Sequence, residues 1–241
     1  MGLFGSRDDT PETEPDGPLD KLANAFVGRI VDAGIDGVGP LTPSSRIAAD
    51  ALRKHGGNVE KAVSEVISDH VKKAGVVGFV TGVGGLVTMP VSLPANVVGF
   101  YTLATRMDAA IAELRGYDVT EPGTRTAVLL ALVGGDADDL LQKAGLNVVS
   151  GMSGSGRLAR LATSRMPKAA AMMINKAVGF RLLTTMGSKA LSRFVRFVPL
   201  AGGIVGAGLD GVLMKRLGDH ARAEFTPLSS TGRALEDTAV D

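Results

Sequence analysis

From Ala74 to Thr105 the chain carries no charged residue, and Pro90 and Pro94 fall inside that stretch. The run is longer than the about 20 apolar residues that cross a bilayer. The two prolines split it, however, because each removes a backbone donor and crowds the preceding turn. Neither half then spans a membrane comfortably. The spacing predicts a helix to about Met89, a bend, and a second helix starting near Pro94. That second helix is expected to stop at Gly116, with Arg115 in its last turn. Glycines recur through the run, and Gly78 and Gly82 lie four residues apart, the interval that lets two helices approach closely.

The rest of the chain supports an all-α fold. Leu19, Leu22, Phe26 and Ile30 mark one face of a first helix. Thr42 and Pro43 read as the N-cap and first position of a second, ending at Gly56-Gly57. Asn58 reads as the cap of a third, whose inward face is Val59, Ala62, Val63, Val66, Ile67 and Val71. Thr120 is expected to cap the next and Asp136 a short one after it. Basic helices follow over 157–164, 167–186 and 189–198, and Pro199 opens a final helix to about Phe225. No convincing strand alternation is present; only Val76–Val87 competes, and its glycines weaken it. We expect one compact domain over 19–225, of about 9–11 helices, with two glycine-rich central helical segments. Residues 1–18 are acidic and hold three prolines, and 226–241 are polar. Both tails are expected to be disordered, since they lack the apolar groups to offset ordering entropy.

Composition narrows the chemistry. The chain has no cysteine, which excludes disulfides, thiol catalysis and cysteine metal sites. Hydrophobic residues make up 45% but aromatics only 4%, so the core must be aliphatic and the aromatic belts of a polytopic membrane protein cannot be built. Met1–Asp20 is acidic and has no apolar run, so no secretory signal is read there. The opening Met1-Gly2-Leu3-Phe4-Gly5-Ser6 fits only the short, loose myristoylation pattern. Net charge is +1, but it is unevenly spread. Residues 1–139 hold 12 Lys/Arg against 19 Asp/Glu, whereas 140–209 hold 10 Lys/Arg and no acid. Such a block points to an anionic partner or to the acidic half of the same fold.

A set of spaced motifs then resembles the EcsC protein family. These are Gly78-Phe79-Val80-Thr81-Gly82-Val83-Gly84-Gly85-Leu86-Val87-Thr88-Met89-Pro90-Val91, Pro94-Ala95-Asn96, Arg106-Met107 and Gly116-Tyr117-Asp118. Asn175-Lys176-Ala177-Val178-Gly179-Phe180-Arg181 and the stretch from Val198 to Asp210 complete them. The resemblance covers roughly 45–225. It implies a bacterial protein with a membrane-linked role, because the family takes its name from a gene beside a transporter operon. It implies no catalytic residues.

Individual motifs favour structure over chemistry. Gly82-Val83-Gly84-Gly85 lacks the Gly-Lys-Ser/Thr that a phosphate loop needs. Gly206-Ala207-Gly208-Leu209-Asp210-Gly211 spells a dinucleotide fingerprint without the strand that must precede it. His55, His70 and His220 have no metal-ligand spacing, and no nucleophile elbow occurs. No metal or cofactor is therefore expected, and the chain leans away from being an enzyme.

Two polar features stand out. Arg106 and Asp108 close the uncharged run, and Asp210 interrupts an apolar glycine-rich helix. Such charges need partners, so we expect Arg106 to pair with Asp210, as a structural pair rather than a ligand site. Lys189, Arg193 and Arg196 fall on one helical face opposite Leu191, Phe194, Val195 and Val198, with Lys176 and Arg181 upstream. That short basic amphipathic helix suits an anionic membrane surface. The leading expectation is a non-enzymatic accessory protein at the cytoplasmic membrane face, binding anionic lipid or a membrane protein. Alternatives are a lipid or apolar-ligand pocket between the glycine-rich helices, and an integral protein with 74–105 bent into the bilayer. Nucleic acid is not expected, since the basic block has few stacking groups.

Overall fold

The computed structural model describes residues 17–83, 89–134, 137, 140–141, 156–164, 167–194 and 202–228. These form eight α-helices: α1 (Pro18–Val31), α2 (Ser44–Lys54), α3 (Val59–Val83), α4 (Met89–Leu114), α5 (Pro122–Ala131), α6 (Arg157–Thr163), α7 (Lys168–Phe194) and α8 (Gly202–Glu224). A π-helical turn, Asp32–Asp36, prolongs α1. No strand occurs among the described residues, so the chain is an all-α domain.

The second half of the uncharged run is the centre of the fold. α4 touches α1, α2, α3, α5 and α8, and every residue from Ala104 to Ala112 is buried. That surrounded stretch begins where the uncharged run ends and holds Arg106 and Asp108, whereas 97–103 before it are mostly half-buried. The two helices of the run end at Val83 and begin at Met89, earlier than the sequence places the bend. Both prolines therefore lie inside the start of α4, where Pro90 costs little because the first N–H groups have no helical partner.

Local signals set most boundaries. Asn58 Oδ1 accepts the Lys61 N–H at 3.0 Å and starts α3. Gly116, at φ +96°, ends α4 with its N–H on Glu113 and the Tyr117 N–H on Ala112, a Schellman closure. Two expected caps are corrected. Pro43, not Thr42, is the N-cap of α2, because Ser44 already lies in the helix and turns its hydroxyl to the Ile35 carbonyl and to Glu113 Oε1. Thr120 does not cap α5; its own N–H and hydroxyl are held by Asp118 Oδ1, and Pro122 opens the helix.

The basic helices are also redrawn. The expected break near Gly187-Ser188 is absent, and α7 runs unbroken from Lys168 to Phe194. One helical glycine costs only about 1 kcal/mol, which a long packed helix absorbs.

Contacts distant in sequence hold the helices together. α3 and α8 run antiparallel: Glu60 takes Arg222 and Arg115, Gly218 faces Ile67, and Gly211 faces Val71. Arg115 is buried, and its bond with that of Arg222 holds the Glu60 carboxyl below its ordinary range. Glu224, itself buried, caps α6: its Oε2 accepts the N–H groups of Arg157 (3.0 Å) and Leu158 (3.3 Å). Gly156 at the N-cap has no side chain for that task. Residues 226–228 continue the domain, with Tyr117 Oη donating to the Thr226 carbonyl and the Leu228 N–H to Arg115.

Glu224→Gln is accordingly expected to lower stability by about 1–2 kcal/mol, since a neutral amide oxygen meets the α6 N-terminus less favourably than a carboxylate. The urea midpoint at neutral pH reads this out; an unchanged midpoint would show that the cap is not needed.

Candidate functional site

A cleft of about 410 Å³ lies beside the central helix. α4 contributes Val97, Phe100 and Tyr101, spaced to share one helical face. Leu132 and Gly134 enter from the end of α5. α8 contributes Asp210, Leu213 and Leu217 along a stripe, with Arg216 and His220 one turn apart. Tyr101 is fixed by edge-on contacts with Phe26 and Phe100, at 6.2 and 5.5 Å between ring centres.

Burial sets the charge states. It pushes the Asp210 carboxyl up to about 6 and the Tyr101 phenol up to about 12. It also lowers His220, against the raising effect of nearby Glu224, so the imidazole is neutral at neutral pH. His220 Nε2 is buried and unbonded. Asp210, Arg216 and the Tyr101 hydroxyl likewise take no hydrogen bond among the described residues. The cleft therefore joins an apolar floor to several unengaged polar groups, the composition of a small-molecule site. Within the described residues no three His, Cys, Asp or Glu side chains are grouped to hold a metal.

The structure does not join Arg106 to Asp210. Arg106 lies roughly opposite the cleft-lining residues around α4, given about 100° per residue. Its Nη2 donates to the Thr42 carbonyl, and its charge helps lower His70. His70 is buried, bonded through Nδ1 to the Val66 carbonyl at 2.7 Å, and lowered to about 4 chiefly by burial. Asp108 faces away from Arg106 and is 0% exposed, with neither oxygen bonded; burial alone raises its carboxyl well above the usual range.

Of the basic residues, half-buried Lys176 and exposed Arg181 are placed on α7. The side chains of Lys189, Arg193 and Arg196 lie outside the described residues, as do those of the Gly82-Val83-Gly84-Gly85 motif.

A second surface feature was not legible in any one motif. Beyond the Gly211–Val71 contact α3 exposes Val76 (64%) and Val77 and α8 exposes Leu209, while Val212 (52%) and Leu213 are exposed at the level of the contact itself. No charged residue follows Lys73 until Arg106, and none lies between Arg196 and Asp210. The pair α3–α8 is thus apolar at this end and ion-paired at the other. Uncharged runs separated by over a hundred residues were the available signal; their meeting depends on the antiparallel pairing.

The model of the EcsC protein family matches residues 57–226. The match spans α3 to α8, and so the whole cleft, but begins after α2, which the motif resemblance had included. No curated protein and no solved structure matches the chain.

Proposed function

Since this chain belongs to the EcsC protein family, and its fold presents an uncharged apolar end, we propose that it is a helical accessory protein that seats on the cytoplasmic face of a membrane. The observation that carries this reading is the exposure of Val76, Val77, Leu209, Val212 and Leu213 on adjoining turns of α3 and α8. A contiguous exposed apolar patch marks an interaction surface. A bilayer fits it better than a polar partner, because the uncharged sequence continues past both helix ends. The acid-free block at 140–209 carries ten cations, which adds attraction to anionic lipid. No helix of the described residues is long and apolar enough to cross a membrane, which favours seating on the surface over spanning.

The test is flotation with vesicles of phosphatidylglycerol and phosphatidylcholine. The chain is expected to float, and to float less as salt rises. Val76→Asp with Val212→Asp removes apolar contact and adds negative charge, and should weaken binding about tenfold or more. Failure of the wild-type chain to float at low salt, or flotation untouched by the double substitution, would refute the proposal.

A further inference from the structure

We propose that the cleft between α4, the end of α5 and α8 binds a single-chain anionic amphiphile, a free long-chain fatty acid, with its carboxylate at Arg216 and His220 and its chain along Leu217, Leu213 and Phe100. The carboxylate end of the site stands apart from the membrane contact, since Arg216 and His220 lie on α8 toward its ion-paired end, while Leu213 is shared by both.

Several observations converge on this ligand. The cleft, at about 410 Å³, falls within the range of small-molecule sites. Asp210 and His220 are ten residues apart on one helix, so the groove runs about 15 Å along α8. Its floor between those residues is aliphatic and aromatic, which suits a hydrocarbon chain and little else. Arg216 and His220 stand at i and i+4, so their side chains adjoin. Arg216 is exposed and has no carboxylate partner among the described residues, and the His220 ring beside it takes no hydrogen bond there. A cation and an imidazole N–H side by side, neither engaged, match the two oxygens of one carboxylate. Asp210 at the far end repels a second anionic group, which orients the chain and disfavours dicarboxylates. Leu213 belongs to both the cleft wall and the exposed apolar end, so a chain can enter from that side.

The full chain, stripped of lipid, would be titrated with cis-parinaric acid and its fluorescence followed. Saturable binding displaced by palmitate, and far less by methyl palmitate, is expected. Arg216→Ala changes an exposed residue and should weaken binding about tenfold; Leu213→Asp should weaken it at least as much. Circular dichroism checks that both variants stay helical, and if Leu213→Asp does not, Arg216→Ala decides alone. The tip variant Val76→Asp should bind parinarate as the wild type does. Absence of saturable binding, equal displacement by the methyl ester, or wild-type affinity in Arg216→Ala would overturn the proposal. Vesicle flotation of Arg216→Ala, expected to be unchanged, separates this failure from failure of the membrane reading.

Discussion

Gly179→Ala is expected to destabilise the chain by about 2 kcal/mol, while the same change at Gly208 stabilises it by about 1 kcal/mol. Both glycines lie inside helices, so intrinsic propensity favours alanine at each by a similar amount. Space decides the sign. A methyl group at Gly179 would stand 2.7 Å from the Ala23 carbonyl oxygen and 2.8 Å from Val27 Cγ2. The oxygen belongs to the α1 backbone and cannot rotate away, so α1 and α7 must separate. At Gly208 nothing lies within 4 Å. Urea unfolding of the two variants against the wild type measures both effects. If both variants gain stability, the α1–α7 approach is looser than the structure has it.

That contrast shows what the glycine pattern says and where it stops. Spacing of four marked Gly78 and Gly82, but spacing cannot tell which glycine meets another backbone. Among the described glycines inside α-helices, Gly123, Gly179 and Gly218 are the crowded ones, and no four-residue glycine spacing marks them. What was legible was local: the inward stripe of α3, the Asn58 cap and the stop at Gly116 each depend on neighbours within one or two turns. The EcsC motifs were legible for a similar reason, as fixed spacings along the chain.

Long-range pairings were not legible. Glu224 caps a helix whose first residue is Arg157, and no pattern near either residue announces it. Arg106 and Asp210 were a plausible pair by charge, yet rotation around α4 turns Arg106 to Thr42 instead. Asp210 does line the cleft, but the facing wall, with Tyr101 and Phe100, comes from α4 over a hundred residues away and shares no motif with it. Sequence pointed to one wall of the site and could not assemble the others.

Asp108→Asn is expected to stabilise the chain by an amount that grows with pH. Asp108 is 0% exposed, neither carboxyl oxygen has a bond, and no nearby charge contributes to its shift. Desolvation alone keeps the proton on. The folded value is raised above the unfolded one, so the sign follows from linkage. Below about pH 4, in the ordinary carboxylate range, both states hold the proton and the group adds no pH dependence. As pH rises, the unfolded chain loses the proton and the folded chain keeps it, so wild-type stability falls by about 1.4 kcal/mol per unit until the folded value is passed. Asparagine is close to the neutral acid in shape and polarity but has no proton to lose. Other titrations, such as those of Glu60 and Glu65, occur in both proteins and cancel in the difference. Urea unfolding of both proteins from pH 4 to pH 7 should give curves that start together and diverge, with the variant above. Parallel curves would show that Asp108 is ionised in the folded chain and has found a counter-charge.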